Sequence, residues 1–459
     1  MDKEKTKWGF DMYKTLDLTE PIIAWILEPD GNRAEVAAML RDTGKRFELV
    51  VPLRDDTDKY QQWFLQNVHV VVNGKPCEPI KVPSVIRTIS NGRFYTLVGC
   101  HVSGSVMART GSGIVVPTYI VVGASKTDFE KIHAMSSRVP GLVSWTGLSS
   151  LSLSYDDNSP KKKEIIAELR SEVEIDESLG LRLRPDYFIQ ASLKRDEIVA
   201  WQTVSFETRA KELQDWTWHL FYHRSLADLL TISDWVPRAF TDMKVLRDED
   251  SCEMTEEKRG GWHSVLSYRP RVDCSHFENP ELQYLIRFSD IREEGIRKWF
   301  ELVEKCQQGM TLLTYVAREQ EHLALETLNT LTGTMLDCIG WYIVKTKNQK
   351  SRMKQNRWTN EMQSAGFSQM IDAVREELGD AFPFVNPEEW KKSMRKAFIG
   401  NKHGDAEDVD FQTMYDVTMQ SLVIVRMWVG LQLGADGNVL RERVAADRIG
   451  RRVGRFIAR

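Results

Sequence analysis

One stretch of the sequence contains both the start and the stop signals of a single helix: Asn386-Pro-Glu-Glu-Trp-Lys-Lys-Ser-Met-Arg-Lys-Ala-Phe-Ile-Gly-Asn-Lys-His-Gly404. Asn386 is a favourable N-cap, and Pro387 fits the first helical turn. The acids Glu388 and Glu389 lie next to the positive end of the helix dipole. Gly404 is the residue type that most often follows the last helical turn. The stretch therefore predicts one helix of an all-helical C-terminal part.

Apolar residues at helical spacing predict three further helices around this one. They are expected over Leu302–Val344, over Thr359–Leu378 and from Asp408 or Asp410 onwards. No strand pattern is visible in this part of the sequence. Four helices with short connections favour an antiparallel bundle.

The extreme C-terminus is rich in arginine: Arg441, Arg443, Arg448, Arg451, Arg452, Arg455 and Arg459. A basic terminal segment can track phosphates. The alternative is an amphipathic segment with Val444, Ile449, Val453 and Phe456 on its inner side, and charge runs alone do not separate the two.

The N-terminal part has the pattern of β-strands. Short β-branched runs occur at Ile22–Leu27, Phe47–Leu53, Val68–Val72, Phe94–Val102 and Ile114–Val122. Turn clusters separate them, among them Asn91-Gly92, whose residue types tolerate the positive φ of a tight hairpin. A helix is predicted at Asp128–Ser137.

A second strand pair is predicted at Tyr187–Leu193 and Ile198–Phe206, followed by a helix over Thr208–Leu230. Ser251–Asn279 reads as irregular. The fold class is therefore α+β, with a strand-rich mixed region at residues 1–290 and an all-α bundle at 291–459. The first region divides into two subdomains near 155–185.

The composition and charge of the chain restrict the classes of protein to which it can belong. No apolar run reaches the length of a membrane span, no secretory signal is visible, and the net charge is −4. The six cysteines have no zinc-binding spacing. We expect a cytoplasmic protein that needs no cofactor, metal or membrane.

Arg395, Asn401 and His403 lie close together near the end of the predicted helix. An arginine followed by asparagine and histidine at the end of a bundle helix resembles the motif of the HEPN superfamily of ribonucleases. Seven residues separate Arg395 from His403, one more than the family pattern has. On an ideal helix these two residues are about 80° apart, whereas Lys396 is only about 20° from His403. Either Lys396 replaces the arginine, or Gly400 loosens the last turn.

Two passages of the N-terminal part are similar to the ApeA anti-phage proteins. They are the strand Gly92-Arg-Phe-Tyr-Thr-Leu-Val-Gly-Cys100 and the passage Met135-Ser-Ser-Arg-Val-Pro-Gly-Leu-Val-Ser-Trp-Thr-Gly-Leu148. ApeA-like proteins join such a domain to a C-terminal HEPN bundle. The resemblance implies an abortive-infection effector, released by a phage-encoded trigger, that cuts host RNA, with tRNA as a candidate substrate.

The resemblance also implies a catalytic set and a partner. The set comprises Arg395, Lys396, Asn401, Lys402 and His403. Histidine suits proton transfer near neutral pH, and a cation can hold the phosphate. HEPN ribonucleases pair two motifs across a homodimer or a higher homo-oligomer. The alternative is a catalytically inactive bundle that dimerises or binds RNA, with a ligand-recognising N-terminal domain.

Two other sets of residues are weaker candidates. His219 and His223 are spaced like a pair of metal ligands, but no third ligand is evident, and core histidines are favoured. Glu321 and Glu326 most simply belong to a solvated helix face, although either could approach the motif inside the bundle.

Overall fold

The computed structural model describes residues 18, 20–28, 33–53, 60–65, 70–72, 75–77, 81–106, 111–123, 127–155, 163–192, 197–250, 261–267, 284–356, 359, 361–403 and 409–458. The strands are β1 (Ile22–Leu27), β2 (Arg33–Asp42), β3 (Phe47–Leu53), β4 (Val70–Val72), β5 (Lys75–Cys77), β6 (Val85–Ser90), β7 (Arg93–Val98), β8 (His101–Val106), β9 (Gly111–Val116), β10 (Tyr119–Val122), β11 (Lys131–Arg138), β12 (Leu151–Tyr155), β13 (Lys163–Ala167), β14 (Val173–Asp176), β15 (Leu181–Ser192), β16 (Glu197–Asp215), β17 (Thr241–Leu246), β18 (His263–Ser267), β19 (Met353–Gln355) and β20 (Met362–Ser364). The helices are α1 (Leu142–Thr146), α2 (Trp216–Asp234), α3 (Phe288–Lys305), α4 (Gln307–Glu319), α5 (Leu325–Thr346), α6 (Phe367–Leu378), α7 (Pro387–His403), α8 (Phe411–Gln432) and α9 (Gly437–Val444). The chain is thus α+β, with strands concentrated in the N-terminal part and helices α3–α9 in the C-terminal part, as predicted.

The chain forms two compact units. Unit 1 comprises Met1–Met135, Ala210–Trp216 and Asp242–Arg271. Unit 2 comprises Ser136–Arg209, Thr217–Thr241 and Val272–Arg459. The predicted boundary after residue 290 lies close to the beginning of α3, where the helix-rich part of the chain starts.

Unit 1 contains an antiparallel sheet with the strand order β17-β18-β10-β7-β6-β1-β2-β3-β9-β8. The turn between β6 and β7 confirms the hairpin prediction, because Asn91 and Gly92 have φ values of 48° and 76°. The sheet buries one apolar cluster, whose members include Leu40, Leu49 and Leu97 with no exposed area. Of the other predicted turn clusters, Pro29-Asp30-Gly31 and Asn73-Gly74 lie outside the described residues.

The predicted helix at Asp128–Ser137 is wrong, because β11 occupies Lys131–Arg138. All six residues from Ile132 to Ser137 are buried. A strand that is buried on both faces has no polar and apolar alternation, so its periodicity does not distinguish it from a buried helix. Ser251–Asn279 is predicted to be irregular, which is wrong at His263–Ser267, where β18 lies. Most of the rest of that stretch lies outside the described residues.

In unit 2, the predicted second strand pair is confirmed and is longer than expected. β15 pairs with β16 from Leu181 opposite Thr208 to Ser192 opposite Glu197. The following helix α2 begins at Trp216 rather than at Thr208, because the strand β16 continues to Asp215.

The single long helix predicted over Leu302–Val344 is wrong, because α3, α4 and α5 occupy this range with breaks between them. Cys306 interrupts the first two helices with a φ of −113° and a ψ of 40°. A 3-10 turn at Gln320–His322 and the extended residues Leu323 and Ala324 precede α5. The helices α4 and α5 can therefore fold back on each other, and Gly309 lies against Ile339.

The remaining helices form a bundle that is not simply antiparallel. Gly340 of α5 contacts Met370 of α6, and Lys347 pairs with Glu377, so these two helices run in the same direction. This parallel course requires a return segment, which contains the hairpin β19–β20. The predictions that α6 begins at Thr359 and that no strand follows residue 290 are therefore wrong.

The arginine-rich C-terminus packs on the bundle with the predicted inner side. Val444, Ile449 and Val453 have no exposed area, and Phe456 is half-buried. Arg455 pairs with Asp416 of α8. The apolar face is thus confirmed, and the segment is a structural part of the bundle.

Candidate active site

The helix α7 carries the predicted motif, and its ends follow from local sequence. The side chain of Asn386 accepts a hydrogen bond of 3.1 Å from the backbone N–H of Glu389, which confirms the predicted cap. Trp390, Met394 and Phe398 form the buried stripe of the helix. The cap and the stripe together fix which residues of α7 face outwards.

The predicted cations Arg395, Lys396 and Lys402 are all exposed. The helix is continuous from Pro387 to His403, so Gly400 does not unwind its last turn. At about 100° per residue, Lys396 therefore stays on the side of His403, and Arg395 stays on the side of Lys402. Lys396 is the better aligned cation in this geometry.

His403 is the last residue of α7, and its side chain lies outside the described part of the structure. The predicted helix stop at Gly404 also lies outside it. The backbone nevertheless fixes the end of the helix at which the imidazole is attached.

Asn401 ties this end of α7 to two neighbouring helices. Its Nδ2 donates a hydrogen bond of 2.9 Å to Oδ1 of Asn329 on α5. Nδ2 of Asn329 in turn donates a bond of 2.9 Å to Oγ1 of Thr418 on α8. Asn329 and Thr418 have no exposed area, so an unpaired polar group there would be costly. The chain of three side chains places the motif beside the N-terminal halves of α5 and α8.

Neither Asn329 nor Thr418 is among the site residues predicted from sequence. One signal could have drawn attention to Asn329, because it is a polar residue next to Leu328 in the apolar stripe of α5. Nothing in the sequence pairs it with Asn401, since 72 residues separate the two positions.

Lys402 lies beside an aromatic ring and a carboxyl group. Its Nζ is 5.8 Å from the centroid of the Phe398 ring. Burial raises the pKa of Asp337 on α5, and the charge of Lys402 acts in the opposite direction. The predicted site therefore combines exposed cations with one half-buried acid.

A cavity of about 430 Å³ lies between α7, α8 and the C-terminal turn. Ser393 of α7 and Thr413 of α8 both line it. Thr413 precedes Met414, whose Sδ is 3.6 Å from Nδ2 of Asn401. The cavity and the contact that anchors the motif are therefore formed by the same two helices, α7 and α8.

His219 and His223 are core residues, as the sequence favours. Both have no exposed area. Oγ1 of Thr208 lies 2.7 Å from Nδ1 of His219 and 3.2 Å from Nε2 of His223. Oγ of Ser137 lies 2.6 Å from Nδ1 of His223. These hydroxyl contacts account for both imidazoles as buried and satisfied polar groups.

Glu321 belongs to the exposed surface rather than to the motif. Its side chain is 67% exposed, and Oε1 lies 3.5 Å from Nη2 of Arg448. Glu326 is also exposed, in the first turn of α5.

Residues 24–299 match the family model described as ApeA N-terminal domain 1. This match covers more than half of the chain. The chain belongs to the ApeA family. Nothing among the curated proteins or the solved structures matches it.

The ApeA N-terminal domain indicates an anti-phage defence protein. The ApeA match includes α2, which makes buried contacts with the helices that follow the matched residues. Arg426 of α8 donates hydrogen bonds to the backbone carbonyls of Ile232 and Ser233 at the end of α2, at 2.7 and 3.1 Å. The same guanidinium forms two bonds with Asp447, at 2.7 and 2.9 Å.

A second buried contact joins α2 to α3 within the matched residues. Nε1 of Trp299 on α3 donates a bond of 2.6 Å to the carbonyl of Ser225 on α2.

None of the helices in the described part of the chain is long and apolar enough to cross a membrane.

Proposed function

We propose that this protein is an endoribonuclease effector of anti-phage defence, with its active site at the C-terminal end of α7. The observation that carries the proposal is the anchoring of Asn401 to Asn329. This buried hydrogen bond holds the motif-bearing turn in a fixed position, while Arg395, Lys396 and Lys402 on the same helix remain exposed. Preorganised cations beside an acid–base group are the arrangement that phosphoryl transfer needs.

The reaction follows from the chemistry of RNA. The 2′-hydroxyl loses its proton to a base and attacks the adjacent phosphorus atom. The bond from phosphorus to the 5′-oxygen breaks, and an acid donates a proton to that oxygen. The products are a 2′,3′-cyclic phosphate and a 5′-hydroxyl. The 2′-hydroxyl is part of the substrate, so no metal-bound water is required as the nucleophile.

We assign the proton transfers to His403, because the pKa of an ordinary histidine is close to neutrality. Lys396 or Arg395 would bind the non-bridging phosphate oxygens. An arginine can do so with two parallel hydrogen bonds and a lysine as a point charge. Asn401 acts as a positioning residue, since its amide N–H is already directed to Asn329.

The proposed active form is a homodimer or a higher homo-oligomer. One bundle supplies one histidine at this position, whereas the reaction uses an acid and a base. A second copy would bring the other imidazole.

The proposed substrate is host RNA, with tRNA as the candidate, and the proposed trigger is phage-encoded. Both follow from the resemblance to ApeA-like proteins. The buried contacts between α2 and α8 give the N-terminal part a physical route by which it would influence the bundle.

The test compares induced wild type with His403→Ala for colony formation, with total RNA from both cultures separated on a gel. We expect the wild type to stop growth and to produce discrete RNA fragments, and the variant to do neither. Unharmed cells and intact RNA from well-expressed wild type, with and without phage challenge, would refute the proposal.

One observation favours a second candidate function, that of an inactive bundle that dimerises or binds RNA. The unbroken helix keeps Arg395 about 80° from His403. For an inactive bundle, His403→Ala would behave like wild type in the same experiment.

A further inference from the structure

The cavity between α7, α8 and the C-terminal turn contains an unpartnered buried amide. Gln420 of α8 lines the cavity and is only 7% exposed. Among the residues that the structure describes, its side chain has no hydrogen-bond partner. Because Gln420 lines the cavity and uses none of its side-chain donor and acceptor positions within the described protein, its amide is available to a ligand that fills the cavity.

A carboxylate lies one helical turn before this amide. Asp416 is 8% exposed, and its Oδ1 accepts a bond of 2.9 Å from Nε2 of Gln412. Its other oxygen accepts from Arg455. A carboxylate has about four acceptor positions, so Asp416 can accept a further donor from a ligand. Residues at i and i+4 share a helix face, so Gln420 and Asp416 present their polar groups to the same side.

Aromatic side chains supply the apolar part of the cavity. Phe384, Trp390 and Phe456 line it. Nε1 of Trp390 is directed away, to Oγ of Ser421 at 3.0 Å, which fixes the orientation of the indole. Flat apolar walls with an amide and a carboxylate at one end are the environment in which proteins hold unstacked nucleobases.

We propose that this cavity binds an adenine base of the RNA substrate. A glutamine amide can accept from the exocyclic amine of adenine and donate to N7 of the same ring. Asp416 can accept the second hydrogen of that amine, and uracil, which has no exocyclic amine, cannot donate to both the glutamine and the carboxylate in this way. The part of this inference that concerns RNA rests on the proposed function.

The position of the cavity relative to the motif fits a nucleotide near the cleaved bond. Ser393 at the cavity precedes His403 by ten residues, or about 15 Å along the helix axis. Thr413 at the other wall is next to Met414, which contacts Asn401. A strand that enters the cavity with one base could therefore reach the motif with a neighbouring phosphate.

The first experiment measures binding of adenosine 5′-monophosphate and uridine 5′-monophosphate to the full chain by ligand-observed NMR titration. We expect the adenine nucleotide to bind more tightly, and Gln420→Leu to weaken its binding about tenfold. Gln432→Leu, the same substitution later on the same helix and outside the cavity, is the matched control and should leave binding unchanged. Ser393→Trp, which fills the cavity from α7, should abolish adenine-nucleotide binding even if Gln420→Leu does not fold.

The second experiment maps the ends of RNA cut by wild type and by Gln420→Leu. We expect adenine to be enriched at a fixed distance from the cut, and this enrichment to disappear in the variant. Cleavage without base preference, together with equal binding of the two nucleotides, would overturn the inference and leave the proposed function intact. Adenine-nucleotide binding through Gln420 without any RNA cleavage would refute the proposed function and assign the cavity to a free nucleotide instead.

Discussion

Replacing Arg426 with alanine should strongly lower the unfolding free energy of unit 2. The guanidinium has no exposed area and lies 5.1 Å from the centroid of the Trp235 ring. It satisfies both oxygens of Asp447, which is 1% exposed, and two carbonyls at the end of α2. Its removal leaves a buried carboxylate without its cation and takes a donor from the carbonyl of Ile232, whereas the carbonyl of Ser233 keeps a bond of 2.7 Å from the N–H of Leu285.

The expected loss of unfolding free energy is large, because Arg426→Ala removes only one partner of a buried ion pair. Removing one partner of such a pair typically costs about 3–5 kcal/mol. The backbone N–H groups of Ile449 and Gly450 also bond to Asp447, which favours the lower part of that range. The double variant Arg426→Met with Asp447→Leu should lose less, because no uncompensated buried charge remains and only neutral backbone groups, the carbonyl of Ile232 and the N–H groups of Ile449 and Gly450, lose a partner.

Urea unfolding followed by tryptophan fluorescence and far-ultraviolet circular dichroism measures these differences. The matched control is Arg448→Ala, which removes an arginine from an exposed pair with Glu321 and should cost at most about 1 kcal/mol. A loss from Arg426→Ala no larger than that of the control would refute the argument that this buried pair joins α2 to the bundle.

Three further predictions concern the candidate site. Asn329→Ala should cost about 1–3 kcal/mol of unfolding free energy, because it removes the hydrogen bonds of Asn329 with Asn401 and with the buried Thr418; an unchanged urea midpoint would contradict this. Lys396→Ala should slow RNA cleavage about tenfold more than Arg395→Ala, because the helix is unbroken; initial rates on one RNA decide this, and the reverse order would favour the arginine. Burial disfavours the charged carboxylate and so raises the folded-state pKa of Asp337 above its unfolded value. The protonated group carries no such penalty at low pH, and the free energy of unfolding falls as pH rises through the folded pKa. Asp337→Asn should therefore raise the urea midpoint at about pH 7 and have a smaller effect at about pH 5, and an effect that grows on acidification would refute this assignment.

The elements that local sequence specifies are the ones that could be predicted. The start of α7 follows from Asn386, which caps the helix, and the start of α8 follows from Asp410, whose side chain accepts a bond of 2.9 Å from the backbone of Thr413. The Asn91-Gly92 turn is a third case, because only a few residue types adopt its positive φ values. In each case the decisive interaction joins residues within one turn of chain.

The elements that tertiary packing specifies were not predictable. β11 is buried along almost its whole length, so its apolar run carries no period. The break after α3 at Cys306 has no proline or glycine to mark it, since the next glycine is Gly309 inside α4. Local propensity is a weak signal that such contacts override.

The candidate site divides in the same way. The motif residues lie within one helix, so their spacing can be read from the sequence. The contact of Asn401 with Asn329 on α5 and the position of Gln420 at the cavity depend on how separate helices pack together, which the sequence does not show. A polar residue in an apolar helix stripe is the one sequence signal that Asn329 and Gln420 share.

The central claim is that the end of α7 cleaves RNA through His403. The most direct measurement is end-group analysis of RNA incubated with the purified full chain and with its His403→Ala variant. We expect 2′,3′-cyclic phosphate and 5′-hydroxyl ends with the wild type and no cleavage with the folded variant. Fragments with the same ends from His403→Ala, or none from wild type that stops growth in cells, would contradict it.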